Sequence, residues 1–402
     1  MLKLNKLMKT TLAFGVAMAL VFSCQNEVET LQPEANLDMP ALTTGTPIDG
    51  QYIVVYKQGF VPTGRVSSDY NTRQQFMLRQ STDFLADHSI NKEVIKSVYG
   101  NVVEGFTAEL SEEMVEKIKL DPRVAYVEQD KIIALAPPPG KGPGGGDTPP
   151  AAQETPWGIT RVNGGVSGAT GTAWVIDSGI DLDHPDLNVD VARSVSFVRG
   201  DADDDNGHGT HVAGTIAAID NSEGVIGVAA GATVVAVRVL DRRGSGTISG
   251  VVGGVDYVGA NASNGDVANM SLGGGVSTTL DDAVINASNA SGATFCLAAG
   301  NESDDANNHS PARANGPNIV TVSASDINDN FAYFSNYGNP PIDWCAPGVN
   351  ILSTWTKGGY NSISGTSMAT PHVAGVLLLG AGKNGGAVNE DPDGNPDIII
   401  TH

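Results

Sequence analysis

The stretch Gly365-Thr-Ser-Met-Ala-Thr-Pro-His-Val-Ala-Gly375 places a serine between small residues, immediately before the apolar run Val376–Leu379. This pattern predicts a helix whose first turn carries Ser367, with Pro371 near the helix start, where proline is tolerated best. A serine hydroxyl is a weak nucleophile, so a reactive serine needs a neighbouring base and a donor for the oxyanion it creates. The stretch indicates a catalytic serine only if the rest of the chain supplies both.

Three segments elsewhere contain side chains that could supply the base and the donor: Trp174-Val-Ile-Asp-Ser-Gly179, Asn206-Gly-His-Gly-Thr-His-Val-Ala-Gly-Thr215 and Leu297-Ala-Ala-Gly-Asn301. The first and third predict buried strands that end at Asp177 and close to Asn301, whereas the second predicts a glycine-rich turn that opens a helix. Both His208 and His211 lie in the second segment, and either could be the base. Together with Ser367, these residues follow the order Asp, His, Ser, one of three unrelated orders known in serine proteases.

These segments resemble those of the subtilisin-like serine proteases (subtilases) and, within them, the proteinase K group. Three further segments carry the resemblance: Val237-Arg-Val-Leu-Asp241, Ser271-Leu-Gly-Gly-Gly275 and Phe334-Ser-Asn-Tyr-Gly338. It extends from about Trp157 to Gly375. The resemblance implies an α/β fold with a subtilisin-like doubly wound, mostly parallel sheet flanked by helices. It also implies a serine endopeptidase that acts on polypeptides and needs no cofactor for catalysis.

The resemblance implies a role for each polar residue. Ser367 would attack the peptide carbonyl, and His208 rather than His211 would take the proton and return it to the leaving amine. Asp177 would hold the imidazole in the required tautomer. Asn301 would donate its side-chain amide to the oxyanion, together with the backbone N–H of Ser367.

By the same resemblance, a substrate would bind as an extra strand between two enzyme edges. The edge residues are Gly244, Ser245 and Gly246 on one side and Ser271, Leu272 and Gly273 on the other. The pocket for the residue before the scissile bond would be walled by 271–275 and by Ala298, Ala299 and Gly300. Because no charged residue lies in these walls, we expect a broad preference for apolar or aromatic residues at that position.

The N-terminus has the pattern of a targeting segment. Lysines precede an apolar run from about Thr11 to Phe22, which is too short for a transmembrane helix and suits a signal peptide. A serine and then Cys24 follow this run, as in a bacterial lipoprotein signal. Residues 1–24 are therefore predicted to be a signal peptide with Cys24 lipidated, so that the protein is secreted and its precursor membrane-anchored. A conventional signal with an unrelated cysteine is the alternative.

Residues 50–134 form a second predicted domain, after a linker at 25–49. Its strand-like and helix-like segments alternate as β-α-β-β-α-β, a split ferredoxin-like unit in which Ser111 would cap the second helix. Gly105–Leu110 and Pro122–Glu128 resemble the inhibitory propeptide of the subtilases. This implies a zymogen whose own propeptide inhibits the enzyme and assists its folding. An unrelated binding domain of the same topology is the alternative.

A proline- and glycine-rich linker at 135–153 separates this domain from the predicted catalytic domain, residues 154–402. Such a segment cannot bury a core and should be accessible to proteases, so we expect maturation to cut in or near it. The net charge of −22 argues against a nucleic-acid partner, because nucleic-acid binding needs basic patches. The protein is expected to be a monomer.

The remaining candidates concern metal and cysteine. The resemblance implies structural calcium, held by the carbonyls of Pro317 and Ile319 with Asp343. The acidic stretch 201–205 could be a second calcium site or a solvated loop. Cys296 and Cys345 could form one disulfide, but by resemblance their strands are not neighbours, which favours free thiols.

Two other functions compete with proteolysis. An ester hydrolase of the α/β-hydrolase type would carry Gly-x-Ser-x-Gly, and Gly365–Ala369 lacks the second glycine. An inactive relative that only binds peptides would have lost Asp177, His208 or Ser367, and all three are present. This alternative would still hold if the short tail after the serine helix prevented folding.

Overall fold

The computed structural model describes residues 43–60, 68–135 and 152–402. The predicted signal peptide with Cys24, most of the 25–49 linker and nearly all of the 135–153 linker lie outside these residues. Among the helices of the described residues, none is both long enough and apolar enough to cross a membrane.

The N-terminal domain has the predicted order β-α-β-β-α-β. Its elements are β1 (Pro47–Tyr56), α1 (Tyr70–Asp87), β2 (Ile95–Tyr99), β3 (Gly105–Glu109), α2 (Glu112–Lys119) and β4 (Val124–Ala134). The strands form an antiparallel sheet in the order β2-β3-β1-β4. Both helices pack on one face of this sheet, around Phe84, Phe106 and Ile118. As predicted, Ser111 caps α2 by accepting the N–H of Met114 at 3.3 Å.

The C-terminal domain alternates strands and helices, which indicates a parallel sheet with helical crossovers. Its elements are α3 (Trp157–Arg161), β5 (Thr172–Asp177), β6 (Asn188–Val189), β7 (Val195–Ser196), α4 (His208–Ala217), β8 (Thr233–Arg238), β9 (Ser245–Thr247), α5 (Ile248–Asn261), β10 (Val267–Met270), β11 (Gly274–Gly275), α6 (Thr278–Ser291), β12 (Thr294–Ala298), β13 (His309–Ser310), β14 (Ile319–Ser325), β15 (Ile342–Pro347), β16 (Ile351–Trp355), β17 (Gly359–Ile363), α7 (Thr366–Leu379), β18 (Lys383–Ala387) and β19 (Ile398–Thr401).

The main sheet confirms the predicted fold class. Its strand order is β18-β19-β15-β14-β12-β10-β5-β8-β6, with β7 also paired to β8. Every pair is parallel except β18 with β19. The carboxyl ends of parallel strands share one edge of a sheet, where sites of open α/β folds usually lie. Asp177 ends β5 at this edge, and Asn301 follows β12 there.

Helices cover both faces of the main sheet, which explains why its strands are continuous apolar runs. In β5, Ala173 and Val175 belong to the apolar cluster that includes α4 and α7. The alternate residues Trp174 and Ile176 belong to the cluster that includes α5 and α6. Each helix therefore takes its position from the burial of one face of the sheet.

The segment after α7 adds two strands to the main sheet. β19 pairs in parallel with β15, and β18 pairs antiparallel with β19. The tail is thus packed onto the fold. Cys296 on β12 and Cys345 on β15 are both buried and unpaired, as favoured from the sequence, because β14 lies between their strands.

Candidate active site

Asp177 and His208 are joined directly. Asp177 is the last residue of β5 and is fully buried, and His208 is the first residue of α4. Nδ1 of His208 lies 2.8 Å from Asp177 Oδ1 and 3.0 Å from Oδ2. Burial lowers the pKa of His208, but the charge of Asp177 and its hydrogen bond outweigh burial, so the pKa is raised above its usual value. Such a pair can keep Nδ1 protonated, so that Nε2 can act as a base.

The turn before His208 depends on Gly207. This residue has a φ of 110°, a left-handed conformation that glycine adopts without strain. A side chain at this position would also collide with the indole of Trp355, which packs on the turn. Any larger residue at 207 would therefore displace His208.

A buried carboxylate that the sequence analysis missed ties the two elements together. Asp204 Oδ1 accepts the hydroxyl of Ser178 at 3.0 Å and the N–H groups of the two residues before His208 at 2.8 and 2.9 Å. Its Oδ2 accepts the N–H and the hydroxyl of Thr210 at 3.0 and 2.7 Å. Asp204 thus connects the first turn of α4 to the residue directly after Asp177.

His211, the alternative base, has a structural environment. It is fully buried on α4, and its Nε2 lies 2.8 Å from Ile351 O. Burial lowers its pKa to about 3, so the ring is neutral. The histidine of this segment that contacts Asp177 is His208.

Ser367 lies in the first turn of α7. Its Oγ donates a hydrogen bond to Ser271 O at 3.1 Å, and Ser271 Oγ donates to Ser367 O at 2.8 Å. The hydroxyl of Ser367 must turn away from Ser271 O before it can pass its proton to a base. α7 and α4 share one apolar cluster, so the helices that carry Ser367 and His208 pack on the same face of the sheet.

Asn301 contacts the start of α7. Its Oδ1 accepts the N–H of Thr366 at 2.9 Å and the hydroxyl of Thr366 at 3.1 Å. The Nδ2 group, which can only donate, therefore lies on the other side of the amide from Thr366. This orientation suits a donor to negative charge near the first turn of α7.

The first predicted substrate edge is paired with a strand of the N-terminal domain. β4 runs antiparallel to β9, with Ala134 opposite Ser245 and Ile133 opposite Gly246. Leu135 continues the ladder by donating its N–H to Gly244 O at 2.9 Å. Gly244 has a φ of 71°, and a side chain there would meet Leu135, so glycine permits this close approach.

The second predicted edge lies near the segment that pairs with the end of β4 on its other side, where Gly45 donates its N–H to Ile132 O at 2.8 Å and Ala134 donates its N–H to Thr44 Oγ1 at 3.0 Å. A methyl group at Gly274 would lie 3.2 Å from Thr44 Oγ1 and 3.6 Å from Ile133 Cγ1. Leu272 is buried in the apolar cluster that also holds Ile133. Ser271 is fully buried, and Gly273 follows these residues along the edge. The end of β4 therefore pairs with the first predicted edge and lies close to the second, with Thr44 also beside Gly274.

The predicted pocket wall 298–300 is not free of charge. A methyl group at Gly300 would lie 2.6 Å from Glu302 Oε2, so this carboxylate lies beside the wall. Asn336 Nδ2 donates to Glu302 Oε2 at 2.8 Å and to Ala299 O at 3.0 Å, which holds the carboxylate there. Glu302 lies just past Asn301 and outside the predicted wall, so the residues of the wall alone do not reveal this charge.

Carboxylates also hold the N-terminal domain against α5 and α6. Glu128 Oε2 accepts the N–H and hydroxyl of Thr279 at 2.9 and 2.7 Å, at the start of α6. Asp130 Oδ1 accepts the N–H of Ser249 at 3.0 Å, at the start of α5. Both contacts satisfy N–H groups that a helix leaves unpaired at its N-terminus.

The predicted calcium ligands remain a prediction. Ile319 begins β14, and Asp343 is an exposed residue on the adjacent β15 whose Oδ2 accepts the N–H of Thr321 at 2.9 Å. A carboxylate with the carbonyls of Pro317 and Ile319 is an oxygen set of the kind that calcium prefers. Within the described residues, no three His, Cys, Asp or Glu side chains are grouped so as to hold a metal.

The acidic loop 201–205 surrounds an arginine. The buried guanidinium of Arg238 donates to the carbonyls of Asp201 and Asp203 and, at 2.9 Å, to the carboxylate of Asp205. These oxygens therefore face a positive side chain that belongs to the fold. This disfavours the second calcium site considered from the sequence.

Comparison with known proteins agrees with the fold and the geometry. Residues 174–391 match the subtilase family, and residues 51–136 match the peptidase inhibitor I9 family. Alkaline serine exoprotease A of Vibrio alginolyticus is 42% identical over 385 residues, which cover 90% of this chain and 67% of the relative. M-protease of Shouchella clausii (strain KSM-K16) is 43% identical over 287 residues, 69% of each chain.

A solved structure, a cold adapted subtilisin-like serine proteinase, is also similar. It has a TM-score of 0.55 and 43% identity, and the match covers 61% of this chain and 97% of the other. The protein is a subtilisin-like serine endopeptidase. The chain belongs to the subtilase family and carries an inhibitor domain of the I9 type, which makes it a zymogen.

Proposed function

We propose that Asp177, His208 and Ser367 form the catalytic triad of this enzyme. The observation that carries the proposal is the 2.8 Å contact between His208 Nδ1 and Asp177 Oδ1. With Nδ1 held by the carboxylate, Nε2 takes the proton of Ser367 as the hydroxyl attacks the peptide carbonyl. The same imidazole then returns the proton to the leaving amine, and Asp177 stabilises the imidazolium between the two transfers.

Asn301 and the backbone N–H of Ser367 are the oxyanion donors in this proposal. Support comes from Thr366, which engages Asn301 Oδ1 through two hydrogen bonds and so fixes the direction of the amide. The N–H groups at the start of α7 have no partner within the helix and suit negative charge. Donors held rigidly in this way stabilise the tetrahedral intermediate without reorganisation.

A substrate is proposed to bind as β4 does, as an antiparallel strand along 244–246 with 271–273 on its other side. The pairing of Ala134 with Ser245 supports this mode. Ile133 is fully buried in the cluster that contains Leu240, Ile248 and Leu272. A branched aliphatic residue therefore suits the substrate position that pairs with Gly246, as Ile133 does. In the pocket at 298–300 we expect apolar and aromatic residues, and Glu302 additionally favours a basic side chain over an acidic one.

The N-terminal domain is proposed to inhibit the enzyme and to assist its folding until it is removed. Its last strand occupies the proposed substrate edge, and its carboxylates complete the starts of α5 and α6. The proposed boundaries are 50–134 for the propeptide, 135–153 for the cleaved linker and 154–402 for the catalytic domain. The acting form is proposed to be a secreted monomer.

The experiment that tests the triad compares two serine variants of the full precursor. Ser367→Ala should leave the N-terminal domain attached and abolish hydrolysis of casein. Ser362→Ala removes an exposed hydroxyl five residues earlier and should mature and cleave casein normally. Casein cleavage by the Ser367 variant at the wild-type rate would reject the proposed nucleophile.

Lipidation of Cys24 is proposed for the precursor, from the sequence alone. Mass spectrometry of the membrane-associated precursor should detect an added lipid mass that disappears in Cys24→Ser. An unmodified wild-type N-terminus would instead identify a conventional signal peptide.

A further inference from the structure

The main-chain carbonyl of Ser367 lacks its helical partner. In an α-helix, the carbonyl of residue 367 accepts the N–H of residue 371. That residue is Pro371, which lies inside α7 and has no N–H. A buried carbonyl without a donor costs free energy, so another group must supply the hydrogen bond or the first turn of α7 will shift.

The hydroxyl of Ser271 supplies that bond. Ser271 Oγ donates to Ser367 O at 2.8 Å, while Ser367 Oγ donates to Ser271 O at 3.1 Å. Two reciprocal bonds therefore connect the same pair of residues. They tie α7 to the segment that follows β10, across the gap that the proline leaves in the helical ladder.

A buried amide contacts the hydroxyl that makes the first bond. Asn269 on β10 is fully buried, and its Nδ2 donates to Ser271 Oγ at 2.8 Å. A carbonyl oxygen can only accept, so the single proton of Ser271 Oγ is directed to Ser367 O, and Ser271 Oγ accepts from Asn269 Nδ2. The order of donation is therefore from Asn269 to Ser271 and from Ser271 to Ser367.

We propose that Asn269 and Ser271 are positioning residues that hold the backbone of Ser367 in its reactive place through this relay. The proposal rests on Ser367 being the nucleophile. Holding the carbonyl of Ser367 also fixes its Cα, and with it both the attacking Oγ and the N–H that is proposed to face the oxyanion. An error of about 1 Å at a reacting group can cost about a hundredfold in rate, so a restraint on this turn acts on turnover.

The first test is the kinetics of Ser271→Ala in the mature enzyme, with a peptide p-nitroanilide substrate and the active sites counted with a serine-directed fluoride. The backbone of residue 271 stays, so KM should remain within about twofold while kcat falls about tenfold, the rate equivalent of one ordinary hydrogen bond. Asn269→Ala should lower kcat similarly, and the double variant should be no worse than either, because both changes break one relay.

Two further variants serve as a control for loss of a buried hydroxyl and as a rescue of the lost kcat. Ser288→Ala removes another fully buried hydroxyl that donates to a carbonyl, Ile285 O at 2.9 Å on α6, and should leave kcat unchanged. Pro371→Ala restores an N–H at the position that faces Ser367 O. Added to Ser271→Ala, it should recover most of the lost kcat, which a change confined to general stability would not do.

Three results would overturn the relay: an unchanged kcat in Ser271→Ala, a loss expressed only in KM, or a kcat loss that Pro371→Ala does not recover. The first would leave Ser271 as a packing residue, and the second would assign it to substrate binding. Failure of the triad itself is distinguished by Ser367→Ala, because an active Ser367 variant removes the nucleophile from the proposal whatever Ser271 does.

Discussion

The hydroxyl of Ser178 donates to Asp204 Oδ1 at 3.0 Å and accepts the N–H of Gly209 at 3.0 Å. Ser178 is the residue after Asp177, and Gly209 is the residue after His208. One hydroxyl and one carboxylate therefore connect the backbone on both sides of the Asp177–His208 contact. The alignment of the two proposed catalytic side chains depends on this buried network as well as on their own hydrogen bond.

Asp204→Ala should reduce both activity and stability. The change leaves the N–H groups at the start of α4 and the Ser178 hydroxyl without an acceptor in a buried place. We expect Tm to fall by about 5–10 °C, the equivalent of about 2–3 kcal/mol, and kcat to fall at least about tenfold. Asp205→Ala is the matched control, because its carboxylate is 64% exposed and pairs with Arg238. Equal effects of the two changes would contradict a special role for Asp204.

The loss of kcat/KM at acidic pH should have its midpoint above the ordinary pKa of histidine. Catalysis needs neutral His208, and its pKa is raised by Asp177, so the inactive imidazolium persists to higher pH than in an isolated histidine. The midpoint of kcat/KM should therefore lie above pH about 6.5 in the mature enzyme. Asp177→Asn removes the charge that raises the pKa, so this midpoint should move to lower pH while the rate falls sharply. A midpoint that does not move would mean that Asp177 does not set this pKa.

Asn301→Asp should test donation to the oxyanion separately from the contact that residue 301 makes with Thr366. Aspartate keeps an oxygen for the N–H of Thr366 but cannot donate to an oxyanion. The lost donor alone should lower kcat about 10²–10³-fold, the range for loss of such a donor in a related subtilisin, and repulsion between the new carboxylate and the oxyanion should lower it further, with little change in KM. Asn307→Asp, an exposed change in the same loop region, gives up the Nδ2 bonds to Asp305 and Pro340 O but should leave kcat unchanged. A kcat close to wild type would exclude the Asn301 side chain from the oxyanion site.

Local patterns were enough to predict much of the fold. The apolar run through β5 predicts a strand buried on both faces, and the alternation of Trp174 and Ile176 with Val175 between two clusters explains that run. In the N-terminal domain, the turn residues and the Ser111 cap predict the order of the elements. The tail was less predictable, because its place at the edge of the main sheet depends on the tertiary pairing of β19 with β15 and β18.

The supporting side chains of the site could not be predicted in the same way. Asp204 lies among several acidic residues in the sequence. Only the fold shows that its carboxylate accepts the N–H groups of the turn before His208. Asn269 and Ser271 gain their role from a missing N–H a hundred residues away, at Pro371. Glu302 borders the predicted pocket through a contact with Asn336. Each depends on a tertiary contact that leaves no periodic signal in the sequence.

Removal of calcium should destabilise the mature enzyme if Asp343 and its neighbouring carbonyls bind the ion. At about 100 times the Kd, calcium would add about 2.7 kcal/mol, so chelation should lower Tm by about 5–10 °C. Asp343→Asn should abolish this response to calcium, whereas Glu390→Gln, another exposed acid, should retain it. A Tm that is independent of calcium in the wild type would show that calcium does not stabilise this enzyme.

Asp256 on α5 accepts several hydrogen bonds from the N-terminal domain. This fully buried carboxylate accepts the N–H groups of Asn101 and Val102 at 2.8 and 2.9 Å, the Asn101 amide at 2.9 Å and the Gln74 amide at 2.6 Å. All four donors belong to the N-terminal domain, whereas the acceptor belongs to the enzyme. Removing the acceptor would leave all of them unsatisfied at a buried interface.

Asp256→Ala should therefore weaken inhibition without harming catalysis. Truncating one partner of a buried, hydrogen-bonded charge costs about 2–5 kcal/mol, so the Ki of added propeptide should rise at least about thirtyfold, mainly through faster dissociation. Asp282→Ala provides the comparison: it loses only the 2.8 Å bond from Tyr126 and lies at a partly exposed position, so its Ki should rise less than about tenfold. The kcat of both mature variants should match the wild type, because neither residue contacts the proposed triad. If the Asp256 variant is inhibited as tightly as the wild-type enzyme, the contacts of β4 with β9 alone hold the propeptide in place.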